Sequence, residues 1–193
     1  MLDVKSLLSL VEEKLPKKRF MHSLSVASTA ELLVLKYSLE PNSGYVTGLF
    51  HDYYRYLSDE DALAGCGKIT FPVFPEELEN PVLLHAPIAA WNMRRIVGED
   101  VPESYVDAVR FHTLGSKDMG KLGAVLFVAD YAEPLRTHLD GKMRIDILSS
   151  STLEETVLKV LRMQDEYFLS IGRKNAKVTE ELEAFLESGG EFS

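Results

Sequence analysis

Apolar positions recur along this chain at the three- and four-residue spacing of helices, not at the alternation of strands. Leu2, Leu7, Leu8 and Val11 mark a first amphipathic helix that stops near Pro16. From about Arg19 to Tyr37, the residues His22, Val26, Ala30, Leu33 and Tyr37 fall on one stripe. Pro41, Asn42, Ser43 and Gly44 predict a turn. A third helix then runs through Val46, Leu49 and Phe50 into His51 and Asp52. Ser58 is placed to cap a short helix ending near Gly65. The stretch from Gly65 to Pro75 reads as an ordered loop, partly packed down by Ile69, Phe71, Val73 and Phe74. A strand there is a weaker option, because Pro72 interrupts it.

Helix resumes from Val82 to Ile96, with Pro87 in or near its first turns. Gly98 to Pro102 is a turn, Glu103 to His112 is helical, and Thr113 to Lys117 turns around Gly115. Met119 to Tyr131 is strongly helical, with Leu122, Leu126 and Asp130 on one face. Further helices are expected near Leu153–Leu169 and Thr179–Leu186, before a Gly-Gly end expected to fray. No repeat, low-complexity tract or linker interrupts the pattern. The expectation is an all-α fold, one domain over residues 1–193. It would hold roughly eight to ten helices, with a core at about 17–140 on which the terminal helices pack.

Composition narrows the function. The net charge of −9 makes a nucleic-acid partner a poor fit, since that affinity rests on cations meeting phosphates. A small anionic ligand stays possible, because a metal and a few arginines can make one pocket positive. Cys66 is the single cysteine, so an internal disulfide and a cysteine-based zinc site are both excluded. The start of the chain is an amphipathic helix and not a signal peptide. No apolar run approaches the roughly 18 residues of a membrane span. A cytoplasmic protein with no membrane partner is expected.

The candidate chemistry lies in histidines and carboxylates. His22 sits on its helix's apolar stripe, and the adjacent His51 and Asp52 end an apolar run. His85 follows Leu83 and Leu84, His112 closes a helix, and Asp130 follows Val125 to Ala129. Any one such histidine can be a core or cap imidazole with satisfied hydrogen bonds. A buried aspartate needs a partner, a network or a metal, helix capping being its plain alternative. Together, imidazole and carboxylate suit iron, manganese, zinc and similar ions. Ligands from separate helices are how bundles build metal sites.

The order His22, His51-Asp52, Asp130 resembles the HD superfamily of metal-dependent phosphohydrolases, and His85 and His112 match its subset able to hold a second metal. The contexts Arg19 to Ala27, Gly48 to Tyr53, Leu83 to Pro87, Phe111 to Gly115 and Val128 to Arg136 resemble the YqeK-type branch, the symmetrical bis(5'-nucleosyl)-tetraphosphatases. The likeness runs from about residue 5 to 175. It implies an HD-domain helical bundle, an iron-type centre of one or two ions with manganese possible, and cleavage of diadenosine tetraphosphate to two ADP by a metal-activated water. It also implies metal ligands His22, His51, Asp52, His85, His112 and Asp130, with Asp52 bridging if two ions bind.

Asp52, His85 and His112 are the candidate catalytic groups, the two histidines contacting phosphate or water if one ion binds. Arg55 stands where the family usually has lysine. It is a candidate phosphate ligand, with a surface salt bridge as the alternative. Thr113 and Arg136 are further phosphate candidates. Glu133 is expected to pair with Arg136 or another cation. Tyr53 and Tyr54 are placed to stack on a base or to pack. His138 reads as a surface residue, and Cys66 and Trp91 as packing residues. The competing readings are an HD phosphohydrolase of nucleoside monophosphates or cyclic dinucleotides, a non-catalytic nucleotide-binding protein, and a di-iron oxygenase. A homodimer stays open.

Overall fold

The computed structural model describes residues 3–193 and is helical throughout, with no strand among them. Leu2 lies outside the described residues. The first helix, α1, spans Val4–Lys14 and buries Leu7 and Val11. Next come α2 (Lys17–Lys36) and α3 (Ser43–Phe50), an adjacent antiparallel pair. The chain turns through residues 51–56 into α4 (Asp59–Cys66), whose N-terminus is capped by the Ser58 side chain. A short α5 (Pro75–Glu79) and a 3-10 turn (Pro81–Leu84) lead into α6 (His85–Val97). Then α7 (Glu103–Phe111) and α8 (Gly120–Ala132) follow. The chain finishes with α9 (Gly141–Leu148), α10 (Leu153–Ser170) and α11 (Lys177–Glu187).

Eleven α-helices among the described residues exceed the eight to ten expected. The additions are α5 and α9, which carry little apolar periodicity. Their local chemistry starts them instead. Pro75 opens α5, and the Glu77 carboxylate accepts from the Phe74 N–H at 2.8 Å. Asp140 caps α9 by accepting from Lys142 and Met143. The 67–74 segment is loop, as expected, but Gly65 and Cys66 still belong to α4. Trp91 lays its ring edge on Phe71 yet stays 39% exposed, so it is only partly a packing residue.

Helix α8 is the centre of the assembly. Its sequence is apolar all round, so it is buried on nearly every side rather than along one face. It packs against α2, α3, α7, α9 and α10. The α2–α3 pair shows how closely helices approach. Gly44 and Gly48, one turn apart on α3, lie against the backbone of Ala30 and Ala27 on α2. The expected turn at Ser43–Gly44 is therefore corrected: both residues are helical and buried, and Gly44 serves close packing.

The C-terminus is also corrected. Gly189, at φ 85°, lets the Gly190 N–H reach the Phe185 carbonyl and close α11. Phe192 is buried, its N–H bonded to Glu154, and the Ser193 carbonyl accepts from Lys121 at the start of α8. The end is pinned and not frayed, because an apolar side chain and a helix N-terminus both hold it.

A Cβ on Gly48 would lie 2.6 Å from the Ala27 Cα, and backbone cannot move aside cheaply. Gly48→Ala should lower unfolding free energy by about 1–3 kcal/mol through overpacking. Urea denaturation checks this, and an unchanged midpoint would contradict the close-approach account.

Candidate metal centre

Five elements bring their chemistry to one place. His22 lies in α2, His51 and Asp52 follow the end of α3, His85 starts α6, His112 caps α7, and Asp130 occupies the last turn of α8. The four histidines and Asp52 are buried, while the Asp130 side chain is 21% exposed. All six candidate ligands therefore meet.

The imidazoles are held in one orientation. The Nδ1 of His51 faces the Gly48 carbonyl at 2.6 Å, that of His85 the Val82 carbonyl at 2.6 Å, and that of His112 the Val109 carbonyl at 2.8 Å. The Nδ1 of His22 faces the Glu133 carboxylate at 3.0 Å. Each of these oxygens can only accept, so each Nδ1 carries the proton and donates it. Every Nε2 then presents a lone pair to the shared space.

The Nε2 atoms meet the carboxylates there. From His22 Nε2, Asp130 Oδ1 is 3.0 Å away and Asp52 Oδ2 3.6 Å. From His51 Nε2 the same oxygens lie at 3.8 and 3.3 Å. On the other side, His85 Nε2 is 3.2 Å from Asp52 Oδ1 and 3.2 Å from His112 Nε2. Two ligands about 2.0–2.2 Å from one ion stand roughly 2.9–3.5 Å apart at right-angle to tetrahedral spacing. Most of the observed separations match that edge.

Two observations show that the donor set fits a cation. The Nε2 atoms of His22 and His51 are buried with no hydrogen-bond partner. With Nδ1 protonated on both rings, His85 and His112 bring two Nε2 lone pairs to 3.2 Å of each other, which a cation or a shared proton between them relieves. The ligand atoms fall into two overlapping groups, His22–His51–Asp130 and His51–Asp52–His112. The two oxygens of Asp52 face different sides of the cluster.

Electrostatics favour the ligand form at His112, Asp52 and Asp130. Burial and the neighbouring His51 and His85 push the His112 imidazole down to about 3, so it is neutral near pH 7. Burial disfavours ionised Asp52, but His51 and His85 outweigh it and hold the carboxyl well below its usual range. Asp130 is lowered in the same way: burial opposes, while His22, Arg136 and His51 prevail. His51 runs the other way: burial is outweighed by Asp52 and Asp130, which raise its pKa and favour a proton on Nε2 that a metal would displace.

Beside the cluster lies a groove of about 900 Å³ lined by Lys17, Lys18, Arg19, His22, Arg136 and His138, among others. It is a basic surface on an acidic chain. Arg19 donates to Asp52 Oδ2 at 2.8 Å, and Arg136 donates to Asp130 Oδ1 at 2.5 Å.

Other candidates fall elsewhere. Arg55 is half-buried, and no side-chain hydrogen bond or ion pair joins it to the described residues. Thr113 has a buried hydroxyl without a hydrogen-bond partner, next in sequence to His112. Tyr53 stacks on Phe50, and the Tyr54 hydroxyl accepts from Arg95, so both pack. His138 is exposed against Tyr131. Glu133 lies 3.9 Å from the Arg136 Nε, but its closer partners are His22 and the Leu135 N–H. Its holding of His22 was missed from sequence, as was the Arg19–Asp52 pair. The one available signal was the presence of both residues in the contexts around His22 and Asp130.

Glu133 is 1% exposed and fixes the His22 ring. Glu133→Ala should weaken Mn(II) or Zn(II) binding about 10- to 100-fold, as loss of such a partner typically does. Glu133→Gln, which keeps an acceptor, should recover part of it. A calorimetric titration checks both, and wild-type affinity in the alanine variant would contradict this role.

No family model matches the chain. It is similar to the "Bis(5'-nucleosyl)-tetraphosphatase, symmetrical" of Bacillus subtilis, at 28% identity over 155 residues, 80% of this chain and 82% of that protein. The protein of the same name from Halalkalibacterium halodurans is 33% identical over 130 residues, 67% of this chain and 68% of its own. A crystal structure from Clostridium acetobutylicum, described as a "predicted HD superfamily hydrolase involved in NAD metabolism", superposes with a TM-score of 0.87 at 25% identity. That likeness covers 98% of this chain and 99% of the other. With the fold, the His-Asp cluster and these relatives in agreement, the chain belongs to the symmetrical bis(5'-nucleosyl)-tetraphosphatase family of HD-superfamily hydrolases.

Proposed function

We propose that this protein hydrolyses dinucleoside tetraphosphates symmetrically, taking diadenosine tetraphosphate to two ADP at a divalent-metal centre. The observation that carries this reading is the set of four tethered imidazoles whose Nε2 atoms converge on two carboxylates beside a basic groove. His22, His51, Asp52 and Asp130 would hold one ion. Asp52 would bridge to a second, shared with His85 and His112. Iron is the metal proposed, with manganese as a substitute, because imidazole with carboxylate suits both. A bound dication lowers the pKa of a water and offsets charge on phosphoryl oxygens.

The residues of the chain supply the rest. The groove cations hold the polyphosphate by charge-assisted contacts, with Arg136 as the clamp beside the cluster. Thr113 is proposed to donate its unpartnered hydroxyl to phosphate. Arg55 is proposed as a phosphate ligand from the turn after Asp52. Asp52, His85 and His112 set the position of the attacking water. In symmetrical cleavage, water oxygen bonds to a phosphorus beside the central bridging oxygen. The bond from that phosphorus to the bridging oxygen breaks, and each half leaves as ADP.

Protein supplied with Fe(II) or Mn(II) should convert diadenosine tetraphosphate to ADP as the sole early product, resolved by anion exchange. His51→Ala should lose activity by more than the roughly 10- to 100-fold typical of an outer partner. ATP plus AMP as products would overturn symmetrical cleavage, and no hydrolysis by metal-loaded protein would overturn the substrate class.

A further inference from the structure

Two guanidinium groups sit on the oxygens that a metal ion would need. Asp52 Oδ2 is the oxygen facing the Nε2 atoms of both His22 and His51, and Arg19 Nη1 lies 2.8 Å from it. Asp130 Oδ1 faces the same two nitrogens, and Arg136 Nη2 lies 2.5 Å from it. Two monovalent cations thus meet the charge of one buried and one largely buried carboxylate, the same total that one dication brings. Without such partners, burying these carboxylates would be strongly unfavourable.

We propose that Arg19 and Arg136 are stand-in cations that compete with the metal for Asp52 and Asp130 and are displaced when it binds. The proposal rests on reading the cluster as a divalent-metal centre. A dication and a guanidinium on one oxygen repel each other. Both arginines have open space beside them: their side chains are 24% and 32% exposed and line the same groove with Lys17 and Lys18, and Arg136 leaving Asp130 would also give up the bond from its Nε to the Asp130 carbonyl at 2.8 Å. Released from the carboxylates, their planar forks face that groove, where a phosphate can take them bidentately. Metal binding and anion binding would then favour each other reciprocally, through side chains rather than through direct contact alone.

The test uses Mn(II) alone, with no nucleotide. If the arginines compete, Arg19→Gln and Arg136→Gln should each bind Mn(II) more tightly than wild type, by roughly five- to tenfold in calorimetry. If they only brace the carboxylates, affinity stays the same or falls, and the proposal is overturned. A second measurement needs no variant. In a crystal of wild-type protein loaded with Mn(II), both guanidinium-to-carboxylate pairs should be open, and both remaining closed would overturn the exchange. Wild type that binds no Mn(II) would sink the metal reading and this proposal together. Failure to cleave diadenosine tetraphosphate, with Mn(II) binding intact, would count against the substrate reading and leave the exchange standing.

Discussion

The site depends on one kind of interaction, the hydrogen bond that ties each imidazole Nδ1 to an oxygen behind it. Three of those oxygens are backbone carbonyls three residues earlier: Gly48 for His51, Val82 for His85 and Val109 for His112. Two of the three lie in the last turn of a helix, where carbonyls lack an intrahelical partner. A histidine at the helix end can satisfy such a carbonyl with its own ring. The same bond fixes the tautomer and turns the Nε2 lone pair inward. His22 lies within a helix, where carbonyls are already taken, and it borrows a buried carboxylate from Glu133 instead.

Those ties would be useless unless the helix ends met. The meeting is arranged by α8, whose apolar circumference lets α2, α3 and α7 pack around it and carries Asp130 to the cluster. The α2–α3 contact is closer still, set by Gly44 and Gly48 against the α2 backbone. Gly48 has two roles at once: its missing side chain sets the distance between helices, and its carbonyl holds His51. From the other side, the buried Arg110–Glu77 pair ties α7 to α5, and Arg110 also donates to the Pro72 carbonyl of the loop. That anchors the loop next to the end of α7, where His112 sits.

Much of this was legible in the sequence. The long amphipathic helices appear within a few residues of where periodicity put them, and the six candidate ligands come together. What stayed hidden is physical in kind. Gly44 reads as a turn because glycine beside Pro41 and Asn42 is usually one, and only the approach of another helix shows otherwise. Helices α5 and α9 bury few side chains, so they have caps but little pattern. The expected fraying ignored Phe192, which is buried in the core with its N–H bonded to Glu154, 38 residues earlier. Glu133 reads as a partner for Arg136 or another cation, and its shorter contact is with His22, 111 residues earlier. Arg55 drew attention by its distance from Asp52 in sequence, whereas Arg19 reaches Asp52 through space. Long-range contacts between polar groups leave no periodic trace.

The central claim is that these four rings are held with Nδ1 protonated and Nε2 offered to a metal. Long-range proton–nitrogen NMR on the Zn(II)-saturated protein at about pH 8, above ordinary imidazole titration, reads this directly. The account predicts that His22, His51, His85 and His112 all carry the proton on Nδ1, with Nε2 unprotonated and shifted by the metal. Protons on Nε2 of two or more of these rings would contradict it.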